Sequence, residues 1–358
     1  MRRRGLTRQQ LIIRRLLIIT GCILAVFVIL AATVKIMTLA GKNRLAKSAN
    51  TEGPTIKSDE APASDWQEGW ISYKGKKYEY NTGIRTFLIL GIDNAHQGGD
   101  PKYDELTKGG QSDGIFLVIL DPDERNVKIL AVNRDTEVDV VMVGIGEDGH
   151  DVIARSQITN QHGFGGGKEY SCELTRDAVS RLLYDIPVHG YVSINYKAIP
   201  FINDSIGGVT LTIPEGMEDL EAINPEWTAG TTLTLNGEEA YDFVHIRDTE
   251  VFESQRKRLA RQKLYLKSFI KQLKEKTSSD IMLPVNIYNG MKDELVSDLS
   301  VDEIGYMTTE YLNYSFNEDD IYTMEGETVV KDDGFEYFYP DEEALRDLII
   351  KLFYKEVG

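Results

Sequence analysis

Three stretches between Arg85 and Val132 decide the fold: Arg85-Thr-Phe-Leu-Ile-Leu-Gly91, Gly114-Ile-Phe-Leu-Val-Ile-Leu120 and Val127-Lys-Ile-Leu-Ala-Val132. Each is an almost unbroken apolar run of strand length, and Asp121-Pro122-Asp123 turns the second into the third. Strands that are apolar at nearly every position belong to a sheet covered on both faces. The covering helices are visible further along. From Glu173 to Asp185, Leu174, Ala178 and Leu182 recur at helical spacing, with Val179 and Leu183 beside them. Asn236 is placed to cap a helix over Gly237–His245, a long helix is expected from Ser254 to about Lys276, and two more at 301–313 and 341–354. Val209 to Ile213 reads as a short strand that Pro214 ends. The alternation predicts one α/β (α+β) domain, a central and mostly buried β-sheet flanked by helices.

Upstream of this core the chain changes character. Leu16 to Val34 is entirely apolar or small, long enough to cross a hydrocarbon core of ~30 Å. Arg2, Arg3, Arg4, Arg8, Arg14 and Arg15 lie only on its N-terminal side, which the positive-inside rule assigns to the cytoplasm. The expected layout is a basic cytoplasmic tail at 1–15, one transmembrane helix at 16–36, an extracellular stalk at 37–80 and an extracellular domain at 81–358. The expected location is therefore the cell membrane, with the N-terminus inside. Two rival readings are a cleaved signal peptide ending near Ala31-Ala32-Thr33 and a lipobox at Ile19-Thr20-Gly21-Cys22. The apolar run is too long for the first and continues too far past Cys22 for the second. The stalk is rich in Lys, Ser, Asn, Thr, Pro and Glu up to Asp65. Trp66, Trp70, Tyr73, Tyr78 and Tyr80 suggest that the chain joins the fold near there.

The chain carries a net charge of −17, and since residues 1–15 hold six arginines and no acid, the remainder carries −23. So acidic a body excludes nucleic acid as a general partner, because phosphate backbones require a basic face. Cys22 and Cys172 are the only cysteines and cannot pair within one chain. The five histidines show no zinc spacing. Gly144-Ile-Gly-Glu-Asp-Gly149 matches a dinucleotide pattern, but no helix signal follows, and it reads as a hairpin turn.

Two constellations bear chemistry. The first strand runs out into Asp93, the second is preceded by Gln111-Ser112-Asp113, and the third ends in Asn133-Arg134-Asp135-Thr136. If these strands are neighbours, Asp93, Asp113 and Arg134 gather at one sheet end, where two carboxylates suit Mg²⁺ or another divalent cation and a guanidinium suits phosphate. The plainer reading is that Asp and Asn cap turns in any protein. The second is Val244-His245-Ile246-Arg247-Asp248, followed by the basic run from Glu253 to Lys263, in which Arg258 and Arg261 share a helix face. A solvated basic face explains that run equally well.

Taken in order, these pieces resemble the LytR-CpsA-Psr family of cell-wall glycopolymer ligases. The resemblance rests on Leu88-Ile-Leu-Gly-Ile-Asp93, Gln111-Ser112-Asp113 (for Arg-Ser-Asp), Asn133-Arg134-Asp135-Thr136 (for Pro-Arg-Asp-Thr) and Ile158 to Gly167. Val192-Ser-Ile-Asn-Tyr196, Ile206-Gly-Gly-Val209, and Leu235 through Arg247 to Arg258, Arg261 and Gln262 complete it. It implies a phosphotransferase that moves a glycan phosphate (of teichoic acid or capsular polysaccharide type) from a polyprenyl-pyrophosphate carrier to a peptidoglycan hydroxyl. The lipid tail would lie in an apolar tunnel between sheet and helices. It further implies that Asp93 and Asp113 serve the metal, that Arg134, Arg247, Arg258 and Arg261 hold pyrophosphate, and that Gln262 supports them. Two positions depart from the pattern: Gln111 replaces an arginine, and His245 replaces the first arginine of an Arg-x-Arg pair. The aspartate proposed as base has no clean counterpart, and Glu253 is the substitute the sequence offers. The departures keep an alternative open, a non-catalytic scaffold or regulator that binds polyprenyl phosphate or wall glycan. A third reading is pyrophosphate hydrolysis, with water as the acceptor.

Overall fold

The computed structural model describes residues 35–36, 38–45, 53–59, 66–93, 108–248 and 250–357. Leu16–Val34 lies outside the described residues, and among those described no helix is long and apolar enough to cross a membrane.

The strands are β1 (Trp70–Tyr73), β2 (Lys76–Tyr80), β3 (Arg85–Asp93), β4 (Gln111–Asp121), β5 (Asn126–Ala131), β6 (Glu137–Met142), β7 (Val152–Gln157), β8 (Gly190–Asn195), β9 (Val209–Thr212), β10 (Thr232–Leu235), β11 (Leu295–Ser297), β12 (Ile321–Thr323), β13 (Gly326–Val330), β14 (Glu336–Pro340) and β15 (Tyr354–Glu356). The α-helices are α1 (Asn160–Phe164), α2 (Glu169–Leu182), α3 (Ile199–Ser205), α4 (Gly237–His245), α5 (Ser254–Thr277), α6 (Leu283–Gly290), α7 (Val301–Tyr311) and α8 (Glu342–Phe353). A further short helix covers 38–45.

A mixed six-stranded sheet in the order β11-β8-β3-β4-β5-β12 forms the centre. β3 pairs antiparallel with β4 and parallel with β8, while β5 pairs antiparallel with β4 and parallel with β12. The C-terminal ends of β3, β5, β8 and β12 and the N-terminal end of β4 therefore share one edge. The expected α/β sheet flanked by helices is what the chain forms.

The two faces of this sheet are covered differently. Leu88, Leu90, Ile92, Ile115, Leu117 and Ile119 are buried in the main core, against Ala178 and Val179 of α2 and Leu345, Ile349 and Phe353 of α8. On the other face Phe87, Leu120 and Val192 are buried with Leu299, and Ile89, Val118, Val127 and Ile194, with Met307 and Tyr311 of α7, pack half-buried against them. A separate core (Ile202, Leu211, Trp227, Phe243 and Tyr265 among others) joins β9, α3, α4 and α5 beside that second face.

One irregularity positions the site. Gly91 faces Gly114, but Ile92 faces Ser112, so Asp113 is the extra residue of a β-bulge. Alternation alone would send Asp113 and Asp93 to opposite faces, and a bulge is the backbone device that re-aims one side chain. Gly91 leaves room next to it, since a Cβ there would stand 3.0 Å from Cε1 of Tyr196.

Two boundaries differ from expectation. The stretch 37–80 was expected to be a stalk, yet β1 and β2 lie within it and form an antiparallel sheet with β15, with Tyr80 opposite Tyr354. The aromatic residues after Trp66 are what the chain uses to join the fold. α2 begins at Glu169 rather than Glu173, because its first turns bury Ser171, Cys172 and Thr175, which do not register as an apolar stripe. Ser171 earns its buried place by donating to His162 O and accepting from Gly167 N.

Candidate functional site

At the shared sheet edge, Asp93 ends β3 with Oδ2 3.0 Å from His245 Nε2. His245 is the last residue of α4, which Asn236 and Glu239 open with a reciprocal capping box. Its ring is held between Tyr241 and Tyr196, with centroids at 4.8 Å and 5.3 Å. His245 thus orients a carboxylate.

Asp113 is nearly fully buried and lies between two guanidinium groups: Oδ1 is 3.0 Å from Arg134 Nη1, and Oδ2 is 2.8 Å from Arg258 Nη1. Burial alone would raise its pKa, but Arg134 and Arg258, with Arg247 behind them, outweigh it and hold the carboxyl below the usual range. The contact at Oδ1 is an ion pair without hydrogen-bond geometry, so that oxygen makes no hydrogen bond.

The arginines are themselves held. Arg134 donates from Nη2 to Gln111 Oε1 at 3.0 Å, and Gln111 in turn donates to Asn160 Oδ1 at 2.7 Å. Gln111 therefore aims an arginine where the family's pattern has a charge of its own. Arg258 donates to Gln255 Oε1 at 2.6 Å and to the His245 carbonyl at 3.3 Å. Arg247 donates to Ser254 Oγ at 3.0 Å, and burial together with the neighbouring Arg258 and Arg134 lowers its pKa. Gln262 donates to Tyr196 Oη at 3.0 Å and to Val244 O at 3.1 Å, tying α5 to α4 and to the chain after β8. Three guanidinium groups thus gather around the buried Asp113 carboxylate in a low-dielectric setting, and their donors suit phosphate oxygens.

Two of the residues singled out in the sequence sit apart. Arg261 is 1% exposed, and both Nη groups donate to carbonyls of the α4 end, Phe243 O and Ile246 O, while Nε faces Asp219 at 3.4 Å. It fastens α4 to α5 rather than joining the Asp113 cluster. Glu253 precedes α5 in a left-handed conformation (φ 56°), with its amide donating to Glu336 and its carboxylate 3.6 Å from Arg256.

Two residues given no role in the sequence belong to the site. Gln255 is buried and holds Arg258. Asp135 is 7% exposed, accepts from Gln157 Nε2 at 3.2 Å and stands 3.7 Å from Arg134 Nε. Burial raises its pKa above the usual carboxylate range, although Arg134 and Arg247 pull the other way. Its place beside Arg134 in the motif was the available signal.

Among the described residues no three His, Cys, Asp or Glu side chains converge as a metal cage. Asp93 and Asp113 lie at one sheet edge, where their carboxylates would hold a cation in competition with His245, Arg134 and Arg258. Two carboxylates are a fitting set for Mg²⁺, which takes one or two carboxylates and completes its shell with phosphate oxygens and water.

A cavity of about 1000 Å³ adjoins the cluster, lined by Gln255, Leu259 and Lys263 of α5, by Ala131 and Asn133, and by Phe338. Further along the same helix face, Lys267, Ile270, Lys271 and Lys274 border a second cavity of about 500 Å³.

Comparison with known proteins places this geometry. The model of the LytR_cpsA_psr family matches residues 36–353. The polyisoprenyl-teichoic acid–peptidoglycan teichoic acid transferase TagU of Bacillus cereus is 26% identical over 271 residues, which is 75% of this chain and 77% of that protein. The crystal structure of TagV from B. subtilis superposes with a TM-score of 0.55 at 22% identity, over 75% of this chain and 95% of its own. A structure of TagT bound to LI-WTA does so with a TM-score of 0.54 at 23% identity, over 75% and 89%. At that identity the structural likenesses speak for the fold.

Proposed function

The chain belongs to the LytR_cpsA_psr family, and from that premise we propose that it is a membrane-anchored phosphotransferase. It would move a glycopolymer phosphate from a polyprenyl-pyrophosphate carrier to a peptidoglycan hydroxyl. The named relative from Bacillus cereus is a teichoic acid transferase. The observation that carries the reading is the convergence of Arg134, Arg247 and Arg258 on Asp113 at a sheet end whose adjoining face carries half-buried apolar side chains.

The two halves of the carrier find matching chemistry. Ile89, Phe116, Val118, Val127 and Ile194 form a half-buried apolar strip on that face, and Ala131, opposite Phe116, lines the first cavity together with α5. We assign the polyprenyl tail to this strip and the pyrophosphate to the arginines. In the reaction the acceptor oxygen bonds to the glycan-side phosphorus, and the bond from that phosphorus to the bridging oxygen breaks. Polyprenyl monophosphate leaves with the electron pair. Arg134, Arg247 and Arg258 stabilise the charge that grows on the bridging and equatorial oxygens. A divalent cation on Asp93 and Asp113 would neutralise phosphate oxygens and lower the repulsion against the incoming oxygen. His245 holds Asp93 in place for it. The apolar run Leu16–Val34 would anchor the chain, with the domain on the outer surface where peptidoglycan lies.

The non-catalytic alternative rests on Gln111 and His245. Both have positioning duties in the fold, on Arg134 and Asp93 respectively, which favours an assembled site over a decayed one. The test is turnover by the full-length chain with a polyprenyl-pyrophosphate-linked glycan, peptidoglycan fragments and Mg²⁺. Arg134→Ala should lower the rate at least about 100-fold with an unchanged circular dichroism spectrum. Full turnover in that variant would overturn the site.

A further inference from the structure

A transfer to a hydroxyl needs a group that takes the hydroxyl proton, and Glu253 does not occupy that place. Its carboxylate is turned toward the exposed Arg256, and its backbone is engaged by Glu336. Asp113 is clamped between two arginines and Asp93 is held by His245, so both carboxylates of the proposed cation pair are committed.

Resting on the transferase reading above, we propose that Asp135 is the general base that takes the proton of the acceptor hydroxyl. Asp135 follows Arg134 directly in the turn between β5 and β6. Its Oδ1 accepts from Gln157 and lies near Arg134 Nε, and among the described residues none donates a hydrogen bond to its Oδ2. The charged groups that face it are Arg134, Arg247 of the α4–α5 connection, Glu336 of β14 and Asp113 of β4. Two of the arginines assigned to the phosphates thus flank it.

Its anchoring is rigid. The Asp135 amide donates to Asn133 Oδ1 at 3.0 Å, its carbonyl accepts from Phe338 N at 2.9 Å, and Gln157 also donates to Glu336 O at 2.8 Å. Burial makes the carboxylate a stronger base than an exposed one, as proton abstraction requires. In the step, the hydroxyl O–H bond breaks and its proton goes to an Asp135 oxygen. The hydroxyl oxygen bonds to phosphorus, and the departing polyprenyl phosphate carries off the electrons of the broken P–O bond.

The experiment uses the full-length protein in detergent and measures single-turnover transfer against pH, together with binding of the lipid-linked donor. Asp135→Asn should bind donor within a few-fold of wild type while transfer falls about 100-fold or more. The rise of rate with pH on the acid side of the wild-type profile should vanish, and Asp135→Glu should restore part of both. Wild-type rate and acid limb in Asp135→Asn would overturn the assignment. So would a loss of donor binding in step with the loss of rate, which is the signature of a residue that only positions Arg134. Failure of the wild type itself to transfer, with donor bound, would overturn the transferase reading and this assignment with it.

Discussion

Asp113 is a single carboxylate on which two buried arginines depend. Neutralising it leaves Arg134 and Arg258 buried without their shared counter-charge, an imbalance that costs about 3–5 kcal/mol in comparable pairs. Asp113→Asn should therefore shift the denaturant midpoint strongly downward, and an unchanged midpoint would contradict the clamp. Because its pKa is lowered on folding, its contribution is present above the unfolded value of about 3.9 and is lost as pH falls through the folded one. Asp135 has the opposite sign. Its raised pKa means that the folded chain binds the proton more readily, so its contribution to stability falls as pH rises from about 4 through the folded value. Asp135→Asn should consequently melt higher than wild type at neutral pH, with the gap closing toward pH 4. A variant that is more stable but inactive is the pattern expected of a residue kept for function. At this scale the sequence was legible where a residue ends a strand: Asp113 and Arg134 pair across neighbouring strands, with Asp93 at the same sheet edge beside His245. It was illegible where direction matters. Nothing in the spacing of Arg258 and Arg261 says that one faces Asp113 while the other turns to backbone carbonyls. The bulge that aims Asp113 likewise has no signature in the sequence beyond the glycine that follows.

Elements carry the next level of order, and α4 with α5 is the unit that delivers the cationic half of the site. Arg261 binds two carbonyls at the end of α4 from within α5. Removing it strands those acceptors and leaves Asp219 without its partner, at about 2–4 kcal/mol for two unsatisfied groups. Arg261→Leu should unfold at markedly lower temperature, whereas a stable but inactive variant would return Arg261 to the phosphate site. A second seam joins β3 to the entry of β8. His189 Nδ1 accepts from the Thr86 amide at 3.2 Å, which puts the ring proton on Nε2, a buried nitrogen without a hydrogen bond. Burial lowers the pKa to about 4. The unfolded chain binds this proton near pH 6.5 and the folded one does not, so stability falls on acidification between about pH 6.5 and 4, by about 3 kcal/mol. His189→Gln should flatten that part of the stability profile, and an unaltered profile would contradict it. The long helices were readable from caps and periodicity, as Asn236 before α4 illustrates. The start of α2 was not, because hydrogen bonds rather than apolar side chains hold its buried first turn.

β1 and β2, near the start of the domain, pair with β15 close to its C-terminal end. No local pattern announces such a pairing, since Tyr80 and Tyr354 are far apart in sequence. The same holds for the covering of the central sheet: composition reads both faces as apolar, and only the fold shows that α7 packs over the second, against Phe87, Leu120 and Val192. In the proposed function, the half-buried apolar side chains next to the arginines unite lipid binding and phosphate chemistry in one site. The most direct test labels the glycan-side phosphate of a polyprenyl-pyrophosphate-linked glycan and follows it with the full-length chain, Mg²⁺ and peptidoglycan fragments. The account predicts label on the peptidoglycan, matched one for one by polyprenyl monophosphate. Label released as free glycan phosphate, or donor bound without any release, would contradict it.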